Sequence, residues 1–156
     1  MSGRVFFREF RAADALAIRL QPSQWVEAGI IAAEIAPDDA RMLEASGPAW
    51  TAVAPDGRIL CCAGFVCTFC TPEGVGVQAT AWAMLAKGIG SAHLAITRFA
   101  RRQFAESPLA RIEAIVRADD DGQACRWAEL VGMKMAHVLH RWGLSSETHF
   151  LFERIR

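Results

Sequence analysis

Lys87-Gly88-Ile89-Gly90-Ser91-Ala92-His93-Leu94 is the stretch whose residue types point most directly to chemistry. It follows the apolar run Ala81 to Leu85 and continues with helical periodicity, so it reads as strand, tight loop and helix. Gly88 and Gly90 admit backbone angles closed to other residues, which lets a loop turn sharply and aim several N–H groups into one concavity. A helix opening at that point adds unpaired first-turn donors and the positive end of its dipole. The chemistry expected of Lys87 to Ala92 is therefore the binding of a phosphate-bearing ligand.

Two common phosphate loops do not match. A dinucleotide fingerprint needs a third glycine where His93 stands, and a nucleoside-triphosphate loop needs Lys followed by Ser or Thr after its last glycine, whereas Lys87 precedes both glycines. The stretch instead resembles the coenzyme A loop of the GNAT superfamily of N-acetyltransferases: Arg or Gln, any two residues, Gly, any residue, Gly or Ala, then a small residue and an apolar helix. Leu85 stands where Arg or Gln is expected. Asp121-Gly122-Gln123-Ala124-Cys125-Arg126-Trp127-Ala128-Glu129-Leu130-Val131-Gly132-Met133 resembles the second signature of that family, Asn, two residues, Ala, a helix, then Leu-Gly-Phe. Asp121 takes the Asn position and Met133 the Phe position.

The resemblance runs from Trp50 to the end of the sequence. It implies one α/β domain over residues 1–156, with a mixed, twisted central sheet flanked by helices on both faces. It also implies acetyl-coenzyme A (acetyl-CoA) as the acetyl donor and an amine as the acceptor, joined by direct transfer. Gly88, Ile89, Gly90 and Ser91 would cradle the diphosphate, with Lys87 and Asp121 beside them, and a backbone N–H near Met84 or Leu85 would polarise the thioester.

Acetyl transfer needs a neutral amine, a polarised carbonyl and a proton for the departing thiolate. In the resembled family a tyrosine of the later helix usually supplies that proton. This chain contains no tyrosine, and the signature places Ala128 at that position. Cys125 is a conceivable substitute on the same helix, and Glu73, Glu113 and His93 are candidate bases that flank the expected cleft strands. Each also has a plain structural reading, His93 as a packed histidine in the first turn of a helix.

The order of Trp82, the glycine loop, Thr97-Arg98-Phe99-Ala100-Arg101-Arg102, Arg111-Ile112-Glu113-Ala114 and the Arg126 to Met133 helix is similar as well to GNAT-like proteins of tailed phages and prophages. That subgroup includes an internal virion protein of short-tailed phages. The similarity implies a different class of function: a virion or assembly component that keeps the fold without the activity and contacts phage structural proteins or further copies of itself.

Composition bounds these readings. A chain of 156 residues, 53% hydrophobic, can bury one core. With 17 basic and 17 acidic residues it has no net charge, and so offers no electrostatic case for nucleic acid or an anionic membrane as partner. Ile59 to Cys70, the longest apolar run, is too short to cross a bilayer as a helix. Met1 to Arg4 leads into a strand without a signal-peptide core, so the expected location is the cytoplasm, or a phage particle if phage-encoded. Four of the five cysteines fall between Cys61 and Cys70, and buried reduced thiols account for them better than a zinc site, because adjacent strand residues face opposite ways. No metal is expected.

The elements that must position the loop are legible in order. Arg4 to Phe10 reads as a strand, Ala12 to Leu20 as a helix, and Trp25 to Ile35 as helical. Pro37-Asp38-Asp39 opens a further helix that Ser46-Gly47-Pro48 ends. Ala49 to Val53 and Arg58 to Phe65 form a hairpin around Ala54-Pro55-Asp56-Gly57. Gly74 to Gly76 links to the strand Gln78 to Leu85; Ser91 to Phe104 is a helix, Arg111 to Val116 a strand and Gln123 to Val131 a helix capped by Gly132. Asp119 to Asp121 is read as the acidic start of that helix and not as a metal site. Ala136 to Trp142 and Thr148 to Glu153 close the chain as a hairpin.

Overall fold

Aromatic and β-branched runs become strands and alanine-rich periodic runs become helices along most of the chain. The computed structural model describes residues 4–24, 35–71, 73, 76–118, 122–144 and 146–156. Its elements are β1 (Phe6–Glu9), α1 (Ala12–Ala17), a 3-10 turn (Pro22–Gln24), α2 (Pro37–Ala45), β2 (Ala49–Val53), β3 (Ile59–Cys70), β4 (Gly76–Leu85), α3 (Ala92–Glu106), β5 (Arg111–Arg117), α4 (Gln123–Leu130), β6 (Lys134–Trp142) and β7 (Glu147–Ile155). Hydrogen bonding orders the strands β1-β2-β3-β4-β5-β7-β6 in a seven-stranded mixed sheet, in which β4 and β5 are parallel. The chain divides into two compact units, Met1–Val66 with Trp82–Ile96, and Cys67–Ala81 with Thr97–Arg156.

In the first unit the core gathers Phe10, Ala15, Ile18, Leu20, Leu43, Cys62, Met84 and Ala86, with Trp82 and Ile89 packed against it. Phe10 meets the Trp82 indole edge-on at 5.2 Å between ring centres, the arrangement that the ring quadrupoles favour. α2 starts as its sequence demands, with Pro37 in the first turn and Asp38 and Asp39 near the positive end of the dipole. The β2–β3 connection is a tight turn in which Gly57 N–H donates to Ala54 O at 2.9 Å and Gly57 takes φ +86°.

A polar cluster is buried against this core. The Asp14 carboxylate accepts from Arg8 Nη1 at 2.7 Å and Nη2 at 2.6 Å, from Thr51 Oγ1 at 2.7 Å and from the Arg11 N–H at 3.0 Å. It thereby ties β1, β2 and the start of α1 together. Burial works to raise the Asp14 pKa, but Arg8, Thr51 and the Arg11 amide outweigh it and hold the carboxyl below its ordinary range. Beside it, burial pushes the Cys62 thiol up to about 12 and the Cys61 thiol upward too, so both are neutral thiols at pH 7.

In the second unit β5 pairs with β7 from Arg111↔Ile155 to Arg117↔His149, and β7 pairs with β6 across two bulges. Ile112 and Phe152 are fully buried there. α4 ends in a Schellman motif: Met133 N–H donates to Ala128 O at 3.1 Å and Gly132 N–H to Glu129 O at 3.0 Å, with Gly132 at φ +106°. α3 ends differently. Arg154 of β7 donates to the carbonyls of Phe104 at 3.0 Å, Ser107 at 3.2 Å and Leu109 at 2.8 Å, satisfying groups that a helix end leaves open.

Three expectations change. α1 stops at Ala17 and not at Leu20, because Ile18 is extended and Leu20 forms a bridge with Ala86. β3 runs to Cys70, past the expected end at Phe65, and β4 begins at Gly76. The helix expected over Trp25 to Ile35 lies almost wholly outside the described residues, as do Asp119 to Asp121, Gly74 and Val75.

A Cβ added at Gly64 would sit 2.5 Å from Ala49 Cβ and 2.7 Å from Pro48 O, both on or beside the paired strand. Gly64→Ala should therefore lower stability by about 2 kcal/mol, measured as a shift in urea midpoint. Asp14→Asn should cost about 2 kcal/mol at pH 7, since it keeps one acceptor oxygen but removes the charge opposite Arg8 and turns an NH2 donor toward a group that had an acceptor, while Arg8 keeps part of its hydration. The depressed Asp14 pKa contributes stability that is complete above the unfolded value of about 3.9 and is lost as pH falls through the lower folded value. The gap between wild type and Asp14→Asn should accordingly narrow below about pH 4 in the same unfolding experiment.

Candidate functional site

β4 carries its apolar residues to the lip of the loop. Met84 and Leu85 are buried, so the Leu85 position is filled by a core side chain and not by a polar support for the loop. Ala86 N–H donates to Leu60 O of β3 at 2.9 Å. Successive strand residues send their backbone groups to opposite edges, so Ala83, Leu85 and Lys87 present theirs on the edge away from β3.

That edge is occupied by the segment after α1. Lys87 N–H donates to Arg19 O at 2.9 Å and Gln21 N–H to Leu85 O at 3.0 Å. The Gln24 side chain completes the row: its Nε2 donates to Ala83 O at 3.1 Å and its Oε1 accepts from the Leu85 N–H. The amide assigned to thioester polarisation is thus bonded to a buried glutamine. No signal in the sequence marks Gln24; it follows Pro22-Ser23 in a region read as an interruption between helices.

Beyond Lys87 the chain turns outward. Gly88 at φ +72° and Gly90 at φ +50° flank Ile89, whose φ is not positive, and both glycines face open space. Ala92 N–H and His93 N–H donate back to Ile89 O at 3.1 Å and Gly90 O at 3.2 Å, so the first amides of α3 are used locally. The amides of Gly88, Ile89 and Gly90 have no partner among the described residues. Three successive donors in a bend of alternating handedness form the kind of concavity that takes an anionic oxygen. Lys87 and Ser91 are exposed at either side of it.

The remaining candidates are dispersed. His93 is half-buried in the first turn of α3, in the first unit. Glu73 and Cys125 belong to the second. Glu73 is exposed, and its own backbone amide followed by the Thr71 hydroxyl holds its carboxyl below the ordinary value, which suits neither an acid nor a strong base at neutral pH. Cys125 is half-buried on α4; on the same helix the Trp127 indole N–H donates to Thr97 Oγ1 at 2.9 Å. Ala128 is buried in the same helix. Glu113 of β5 pairs with Arg111, which also reaches Glu153 at 2.8 Å. Asp121 lies outside the described residues, just before Gly122, which opens α4 at φ +61° without a side-chain cap. Among the described residues no group of His, Cys, Asp and Glu is placed to hold a metal ion, and no helix is long and apolar enough to cross a membrane.

Gly88→Ala and Gly90→Ala should each fold and cost about 1 kcal/mol in urea unfolding, from backbone strain alone, since neither added Cβ meets an atom.

No family model matches the sequence, and no curated protein matches it. Solved structures do. A GCN5-related N-acetyltransferase from Kribbella flavida superposes with TM-score 0.68 at 17% identity, over 97% of this chain and 98% of that one. A GNAT-family acetyltransferase from Bacillus anthracis gives TM-score 0.63 at 13% identity, over 99% and 96%. The ribosomal-protein-S5-alanine acetyltransferase from Vibrio fischeri gives 0.61 at 14%, over 97% and 92%. Identities this low carry architecture and not activity. The chain has the GNAT fold.

Proposed function

We propose that the protein is an acetyl-CoA-dependent N-acetyltransferase that moves the acetyl group directly to an amine. The observation that carries this reading is the bend after β4, where the amides of Gly88, Ile89 and Gly90 have no partner among the described residues. The Lys87 bond to Arg19 anchors the bend on one side and the first turn of α3 on the other. These donors would hold the diphosphate, with Lys87 and Ser91 at its margin. In the transfer the amine lone pair attacks the thioester carbonyl carbon and the carbon–sulfur bond breaks. One proton leaves the nitrogen and one arrives at the sulfur. Transfer between the two atoms, directly or through water, therefore balances without tyrosine, and Cys125 and His93 are auxiliary candidates. Catalysis then rests on holding the reactants in line.

A second reading is a catalytically silent protein on the same scaffold, such as a phage virion or assembly component. Two observations favour it: the Gln24 bond to the Leu85 amide, and buried Ala128 where the family resemblance expects the acid.

Calorimetric titration with acetyl-CoA separates the readings. The first expects saturable binding, weakened at least about tenfold by Gly90→Trp, whose side chain would cover the bend. It also expects thioester consumption with at least one member of an amine panel. An absence of heat at millimolar acetyl-CoA rejects the coenzyme reading; binding without turnover on any amine supports the silent scaffold.

A further inference from the structure

We propose that the Gln24 carboxamide is a removable occupant of a chain-binding edge on β4, held in the place that the acyl-bearing arm of the ligand takes. The proposal rests on the coenzyme reading above and adds to it a closed state built from this chain's own residues.

The geometry is specific. A primary carboxamide presents its carbonyl and one N–H on the same side, and Gln24 uses that side to bond the Leu85 N–H and the Ala83 carbonyl together. A parallel neighbouring strand bonds the residues i−1 and i+1 of a strand in the same way, with the N–H and C=O of one of its own residues. Gln24 therefore imitates one residue of an added strand. A trans secondary amide cannot do this alone, because its N–H and C=O point apart. The ligand that fits must offer the N–H of one amide and the carbonyl of the next, in an extended chain. The arm of acetyl-CoA contains two such amides in series.

The adjoining bonds stay in place when Gln24 leaves. Gln21 N–H to Leu85 O and Arg19 O to Lys87 N–H are backbone contacts of the segment itself, whereas Gln24 reaches β4 through a side chain that can rotate about three bonds. Exchange of Gln24 for the ligand conserves the number of hydrogen bonds. The cost falls on affinity, because the ligand must compete with an occupant tethered to the same chain.

The test compares acetyl-CoA with adenosine diphosphate, which carries the diphosphate and no amides, on wild type and Gln24→Ala. The expected result is that Gln24→Ala binds acetyl-CoA about tenfold more tightly, the equivalent of one to two released hydrogen bonds, with adenosine diphosphate affinity unchanged. Unchanged or weaker acetyl-CoA binding in Gln24→Ala overturns the proposal; if adenosine diphosphate still binds, the loop reading survives that failure. Binding of neither ligand to either protein overturns both. Gln24→Glu provides a second variant should Gln24→Ala fold poorly. It keeps the acceptor for Leu85 but sets a carboxylate against the Ala83 carbonyl, so it too should tighten acetyl-CoA, and failure to do so counts against the proposal. Hydrogen exchange at the Leu85 amide supplies a readout without ligand: faster exchange in Gln24→Ala is expected, and exchange equal to wild type in that variant shows that Gln24 does not hold that edge.

Discussion

The backbone edge of β4 from Ala83 to Lys87 imposes the constraint on which the surrounding structure depends. Its N–H and C=O groups lie beside a buried core and must be bonded, since an unpaired buried amide costs about as much as a whole interaction elsewhere contributes. Arg19, Gln21 and Gln24 meet that demand. Doing so shortens α1, pulls Leu20 into a bridge with Ala86 and pins Lys87, which sets where the chain is released into the glycine bend. The open amides beyond Lys87 and the occupied ones before it are two results of a single requirement.

Much of the architecture was legible because it follows from local chemistry. Pro37 with Asp38 and Asp39 announces α2, Gly57 announces the β2–β3 turn, and Gly132 announces the end of α4, each through a backbone preference that one or two residues decide. The glycine bend was legible for the same reason. What escaped were features made by residues far apart in sequence. Asp14 binds Arg8 and Thr51, Gln24 binds β4 residues about sixty positions on, and Arg154 closes the end of α3; each side chain is ordinary until the fold supplies its partner. The extra length of β3 escaped because Cys67 to Cys70 carries little alternation, and pairing rather than pattern holds it extended.

The absent tyrosine and the bonded Leu85 amide weigh on opposite sides of the assignment from the glycine bend. A bend can remain after catalysis is lost, because Ile89 packs against the core while Gly88 and Gly90 face open space. Conversely, proton movement between nitrogen and sulfur needs no dedicated acid if the two atoms are held close, so a missing side chain removes one route and not the reaction. The neighbouring structures share the architecture, and the fold itself specifies neither an activity nor an acceptor.

Arg154 reaches three carbonyls at or beyond the end of α3, from roughly fifty residues away in sequence. A ribosome making this chain therefore delivers the helix long before its clasp. Until β7 emerges, β5 also has one edge unpaired along all seven of its residues. The nascent second unit must wait in that state, with a frayed helix terminus and a bare strand side by side in sequence, which makes the interval before β7 emerges the one when a chaperone would have most to protect.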